Sequence, residues 1–209
     1  MRVGWSGVFA FVLPLWAGGA VADDYDDYRV ACTAAEETAA RTAIVRAREI
    51  VGAALDALPP VNSEGGARFQ RWFGGADSEY DAAVRDVYAG ILVSLSFSSI
   101  WCPNTTLPDP YIDSGTWAFV LGDAVGEMFL MSPFFGLGTS GADSRAGVII
   151  HEASHLSTVA NVVDSDVTGD NKADYGIDNA EQLARVDAYR ARRTADNYQY
   201  FAEDLAFGI

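Results

Sequence analysis

The stretch Gly147-Val148-Ile149-Ile150-His151-Glu152-Ala153-Ser154-His155-Leu156 reads H-E-x-x-H behind an apolar run. The chain has 2 histidines, and both are here. Their spacing puts both imidazoles on one face of an α-helix, where they can grip one zinc ion. Glu152, beside the first, is then placed to act as general base on a water. Ile149, Ala153, Leu156 and Ala160 recur at helical spacing and are expected to face the core, with the histidines on another face. Ser140 and Asp143 fit a capping box ahead of this helix.

A catalytic zinc takes three protein ligands and keeps one position open. With no third histidine in the chain, the third ligand is expected to be a carboxylate. No glutamate stands between His155 and Glu181, so the source is the acidic loop of residues 164–174, which carries Asp164, Asp166, Asp170 and Asp174. The residues alone leave Asp164, Asp166 and Asp170 open as candidates.

Residues 1–22 read as a secretory signal: Arg2 is a short positive start, Val8 to Trp16 is apolar, and Ala20-Val21-Ala22 suits cleavage. That predicts a secreted chain in which residues 23–209 form a single domain. The apolar part of the leader is too short to span a bilayer, and no later stretch is long enough. The net charge of −15 disfavours nucleic acid and anionic membranes as partners and favours basic peptides. Cys32 and Cys102 are the 2 cysteines, and an even count in an exported protein predicts a disulfide between them.

Along the chain, a helix is expected from Thr33 to Leu58, stopped by Pro59-Pro60, and a short one around Phe69, Trp72 and Phe73, ended by Gly74-Gly75. Asp77 looks like the cap of a third helix, with Tyr80, Val84, Val87, Tyr88 and Ile91 on its apolar stripe. Val93, Leu95 and Phe97 alternate with serines and predict a strand leading to Cys102. Trp117, Phe119 and Leu121, then Met128 to Met131, complete a small antiparallel sheet, and Pro133 to Gly141 reads as loop. A helix starting at Asp178 or Asn179 and ending at Arg192-Arg193 precedes a last helix from Asp196 to about Leu205.

Several of these stretches, in this order, resemble the aspzincin metalloendopeptidases, the group that holds deuterolysin and the peptidyl-Lys metalloendopeptidases. They are Cys32-Thr33 before an Ala-rich helix, Arg71-Trp72-Phe73-Gly74, Cys102, Ser144-Arg145-Ala146-Gly147 running into the H-E-x-x-H, Tyr175-Gly176, and Ala195-Asp196-Asn197-Tyr198-Gln199-Tyr200-Phe201-Ala202-Glu203. The resemblance implies that His151 and His155 are zinc ligands and Glu152 the general base. It makes Asp164 the best match for the third ligand, although Asn161-Val162 replace the expected Gly-Thr and the gap to Tyr175 is long. Tyr175 would hydrogen-bond the oxyanion. Asp196 would select a basic side chain at P1′, while Gln199 stands where lysine-specific members carry a second acid.

Together these readings predict an α+β, mainly α, zincin-like fold with a small antiparallel sheet and an H-E-x-x-H active-site helix. The expected protein is a secreted, monomeric endopeptidase with one catalytic zinc, acting on protein or peptide substrates with a basic preference (Lys) at P1′. Two rival readings exist. One is a catalytically silent binding protein on the same scaffold. The other is a calcium-binding adhesion module, because Asp164, Asp166, Thr168, Gly169 and Asp170 resemble half of an EF-hand loop; Tyr175 stands where that loop needs Glu. Asn104-Thr105-Thr106 is a glycosylation sequon.

Overall fold

The computed structural model describes residues 28–58, 66–75, 78–96, 99–103, 115–121, 126–156, 158–159 and 162–209. The leader, the Asp77 cap, Phe97, the Asn104 sequon and Ala160 lie outside the described residues. The seven helices described are α1 (Ala34–Ala57), α2 (Ala67–Phe73), α3 (Ser78–Ser94), α4 (Arg145–Ser154), α5 (Ile177–Val186), α6 (Ala188–Ala191) and α7 (Ala195–Phe207). Three short strands, β1 (Ser99–Trp101), β2 (Ala118–Phe119) and β3 (Glu127–Leu130), form one sheet.

Local chemistry starts α1 where expected. The Thr33 side chain accepts from the Glu36 N–H, and the Glu36 carboxylate accepts from the Thr33 N–H at 2.8 Å, a reciprocal capping box. The inner face of α1 is mostly alanine: Ala40, Ala43, Ala47 and Ala54, with Ile50 and Val51. Small side chains let α4 and α7 approach closely, and α1 packs against both. The chain reverses at Gly74, whose φ of 75° suits glycine; a side chain there would also meet Ala188 and the Ala184 carbonyl.

The core centres on α7, which packs against α1, α2, α4 and α5. Trp72, Phe73, Tyr88, Tyr198, Tyr200 and Phe201 interlock there, fully buried. Their polar tips are satisfied. The Tyr88 hydroxyl donates to the Tyr198 carbonyl at 2.6 Å, and Trp72 Nε1 donates to Asp204 at 3.0 Å. Among the described residues no helix is long and apolar enough to cross a membrane.

Four expectations need correction. The sheet is mixed, not antiparallel: β1 pairs with β3 in parallel and β2 pairs with β3 antiparallel, in the order β1-β3-β2. A parallel pair needs a long crossover, and the chain between Trp101 and Glu127 supplies it. The strand expected at Val93 and Leu95 is the end of α3: Leu95 follows Ile91 by one helical step, and both are buried. The Pro133 loop begins as a 3-10 helix over Ser132–Gly136. The helix expected to end at Arg192-Arg193 breaks at Asp187, whose side chain caps α6 by accepting from the Arg190 N–H.

Cys32 and Cys102 are joined, tying the start of α1 to the end of β1 across 70 residues. The Cys102 N–H also donates to the Val30 carbonyl at 2.8 Å, and Arg29 pairs with Glu127 on β3 at 2.8 Å, so three contacts fasten this edge. Closing a loop of this length restricts the unfolded chain by about 4 kcal/mol. The double variant Cys32→Ser/Cys102→Ser should lose about 2–4 kcal/mol in urea denaturation. A loss near zero would show that the bond does not hold the fold.

Candidate active site

The H-E-x-x-H sequence lies on α4, with His155 as its C-cap. The expected cap is four residues early: Ser144, not Ser140, accepts from the Gly147 N–H at 3.0 Å. The helix has no outer face. Every residue from Ala146 to Ser154 is buried, so the histidines sit inside the molecule rather than on an outer face. A helix enclosed in this way must find a partner for each polar group.

Both histidines are oriented through Nδ1. His155 Nδ1 lies 2.8 Å from the Val162 carbonyl oxygen, and a carbonyl can only accept, so Nδ1 carries the proton. His151 Nδ1 lies 2.9 Å from Asp196 Oδ1, which imposes the same tautomer. Each Nε2 is thereby left with a free lone pair. The two point at one atom, Asp164 Oδ1, from 3.2 and 3.3 Å. None of these three atoms has a hydrogen-bond partner, although all are buried.

Asp164 comes from the acidic loop, and backbone pairing delivers it. Val163 bridges Thr194 in parallel: the Val163 N–H donates to the Arg193 carbonyl at 2.8 Å, and the Ala195 N–H donates to the Val163 carbonyl at 3.1 Å. The next residues are pinned by a 2.6 Å contact between the Ser165 and Thr194 hydroxyls. Of the candidates in the loop, this brings Asp164 to the histidines. Asp166 is turned away and accepts from the loop amides of Gly169, Asp170 and Asn171. Asp166, Asp170 and Asp174 do gather close enough to offer oxygens to a common ion, but exposed acidic groups gather often without one.

The buried triad fits zinc. A tetrahedral ion with bonds of about 2.0–2.1 Å has ligands about 3.3 Å apart, and the nitrogen–oxygen separations are 3.2 and 3.3 Å. Charge agrees with distance. Burial disfavours a charged His151 or His155, yet the Asp164 carboxylate outweighs it and raises both pKa values, with Asp196 adding to the effect on His151. Burial likewise opposes ionised Asp164, but the two rings hold its carboxyl well below the usual range. The Asp164 carboxylate thus favours positive charge at the two rings, which either a proton or a metal ion can supply; the Nε2 lone pairs are available to a metal once the proton is off. Glu152 is also buried, with Oε2 unpaired, and burial pushes its pKa up, as suits a general base.

The family model described as lysine-specific metallo-endopeptidase, the aspzincin family, matches residues 60–203. The chain belongs to the aspzincin family. Peptidyl-Lys metalloendopeptidases of Grifola frondosa and Pleurotus ostreatus are 30% and 31% identical to it over 83% and 84% of its length. An extracellular protease of Aeromonas hydrophila is 33% identical over 69%. This aspzincin chain spans 45% of the Grifola protein, 38% of the Aeromonas protein and 95% of the Pleurotus protein. A solved zinc peptidase from Grifola frondosa shares the mainly helical fold, with a TM-score of 0.71 and 28% identity over 83% of this chain and 97% of that one.

Two expected site residues have contacts the sequence did not foretell. The Tyr175 hydroxyl donates to Asp164 Oδ2 at 3.1 Å, so in this structure it holds the carboxylate rather than standing free. Asp196 is engaged on both oxygens. Its side chain is 6% exposed, and it is engaged by His151 on Oδ1 and by the Gly176 N–H on Oδ2 at 2.7 Å.

The sequence reading gave Glu203 no role of its own. Its carboxylate accepts from the Ser144 N–H and hydroxyl at 2.8 and 2.7 Å, from the Asp143 N–H at 3.1 Å and from Gln199 at 3.3 Å. It thus takes up free amides at the start of α4. A Cβ at Gly147 would overlap it, which is why glycine stands there. Asp196, Gln199 and Glu203 recur at three and four on α7, and that spacing was the available clue.

Burial pushes Glu203 up to about 7, against the hydrogen bonds from Ser144. The folded state then binds more protons than the unfolded state between the ordinary carboxyl range and about 7, so this contribution falls as pH rises through that window. The Tm gap between wild type and Glu203→Gln should narrow from pH 4.5 to pH 7. A gap that widens would contradict this account of Glu203.

Proposed function

We propose that this chain is a secreted zinc endopeptidase. His151, His155 and Asp164 hold one catalytic ion, and Glu152 is the general base. The observation that carries the reading is the convergence of His151 Nε2, His155 Nε2 and Asp164 Oδ1, buried and without hydrogen bonds, at the spacing of zinc ligands. Family membership supports the same conclusion. All three ligands and the base come from one chain, which supports a monomer as the working unit.

When bound, zinc supplies Lewis acidity and lowers the pKa of a coordinated water toward ~7. Glu152 takes a proton from the attacking water onto its carboxylate and returns it to the leaving amine as the peptide C–N bond breaks. Its raised pKa matches a group that must both accept and donate. Tyr175 steadies Asp164 before substrate arrives and turns its hydroxyl to the scissile carbonyl oxygen as negative charge develops there. The acidic balance of the chain and the lysine-specific description of the family support a basic residue at P1′. Secretion, with residues 1–22 removed and 23–209 as the catalytic domain, is supported by the leader pattern, the disulfide and the extracellular Aeromonas relative.

Glu152→Gln should keep one zinc per chain and lose about 10²–10⁴-fold in casein hydrolysis. Hydrolysis near the wild-type rate, in protein free of other proteases, would overturn the role of Glu152.

A further inference from the structure

A cavity of about 370 Å³ opens between α1, the loop around Thr139 and the first turn of α4. Small-ligand sites span roughly 300–1,000 Å³, so there is room for one. The cavity shares no residue with the triad, with Glu152 or with the groups that support them. Alanine side chains make the space. Ala43 on α1 and Ala146 on α4 are buried and form its floor, Ala39 adds a third methyl group, and exposed Thr139 stands at its rim. Two charged groups line this mostly apolar hollow, the guanidiniums of Arg46 and Arg145.

Arg145 is fixed in place without a counter-charge. Its backbone N–H donates to the Gly138 carbonyl at 2.9 Å, and its Nη2 donates to the Phe135 carbonyl. Nε is buried with no acceptor, and among the described residues no carboxylate pairs with the group. Both of its partners are neutral. The chain has 29 acidic residues against 14 basic ones, so acids are plentiful and none is placed here. Arg46 is steadied by the Phe207 ring, whose centroid lies 5.3 Å from its Cζ. Its own partner, Glu49 at 2.8 Å, is 57% exposed, and exposed pairs of this kind contribute little.

We propose that this cavity binds an aliphatic carboxylate: its methyl-lined floor takes the chain, and Arg145, assisted by Arg46, takes the head group. A partly buried guanidinium without a carboxylate is best completed by one, whose two oxygens match its planar fork. A neutral ligand leaves that charge unmet, and a cation is repelled. The apolar lining favours a hydrocarbon body over a polar one. Two sources share this chemistry. One is a free short-chain fatty acid. The other is the C-terminal residue of a peptide with an aliphatic side chain, which is a product of the activity proposed above.

The test is an NMR titration of the ¹⁵N-labelled protein at fixed ionic strength, reading the backbone amides of Ala43, Thr139 and Ala146. Hexanoate stands for the free acid and N-acetyl-leucine for the peptide end. Hexylammonium carries the same chain as hexanoate with the opposite charge. At least one of the two acids should give saturable shifts at these amides, the tighter of them naming the source, and hexylammonium should give none. Arg145→Gln removes the charge and keeps an amide donor; it should weaken binding of the acid about tenfold or more. No saturable shift with either acid, an equal response to hexylammonium, or an unchanged affinity in the variant overturns the proposal. If Arg145→Gln does not fold, Ala39→Leu, which fills the cavity and leaves both arginines, decides by the same measure. No zinc ligand lines the cavity, so either result leaves the reading of the triad untouched.

Discussion

Burying a polar group without a partner is costly, and α7 supplies partners near both ends of the buried helix α4. The rest of the structure depends on this seam. Glu203 takes the amides at the start of α4, and Asp196 takes His151 near its end. Gln199 lies between and donates to both Asp143 and Glu203. The three α7 residues sit on one face because three and four residues make about one helical turn. Each is nearly inaccessible, and removing one partner would leave a buried polar or charged group unpaired, which costs far more than an exposed hydrogen bond contributes. The polar seam fixes the rotation and slide of α4 against α7 more sharply than apolar packing would.

The same seam explains how a carboxylate more than two helical turns beyond His155 in sequence reaches the histidines. The start of α7 carries Asp196 and, through the Val163–Thr194 bridge, also holds the strand-like segment that presents Asp164. Both acids therefore arrive at His151 from one scaffold. Around it, the aromatic cluster beneath α7 and the Cys32–Cys102 bond at the sheet edge hold the larger frame. The acidic loop beyond Asp164 is organised separately. Its amides close on Asp166 and Asp174.

Much of this was legible in the sequence where the signal is local. The extent of α1, expected from Thr33 to Leu58, and the last helix, expected from Asp196, follow from short-range periodicity. The two histidines and Glu152 were visible because their spacing carries the chemistry. Legibility failed where long-range pairing decides. The residues alone left Asp164, Asp166 and Asp170 open and the resemblance favoured Asp164; the backbone bridge that brings Asp164 beside the histidines joins residues about 30 positions apart, which no local pattern encodes. The parallel β1–β3 pairing has the same cause. The serine-spaced residues around Val93 imitated a strand because a short alternating run cannot be told from the end of a helix. Asp196 was read as a substrate contact by resemblance; its contacts with His151 and the Gly176 N–H join residues too far apart in sequence for a local pattern to show.

The central claim is that a single ion sits among His151 Nε2, His155 Nε2 and Asp164 Oδ1. Anomalous diffraction at the zinc edge, on crystals of the zinc-loaded protein, tests it most directly. The account predicts one dominant peak within about 2.0–2.2 Å of all three atoms. A dominant peak held instead by Asp166, Asp170 and Asp174, with nothing between the histidines, would contradict it.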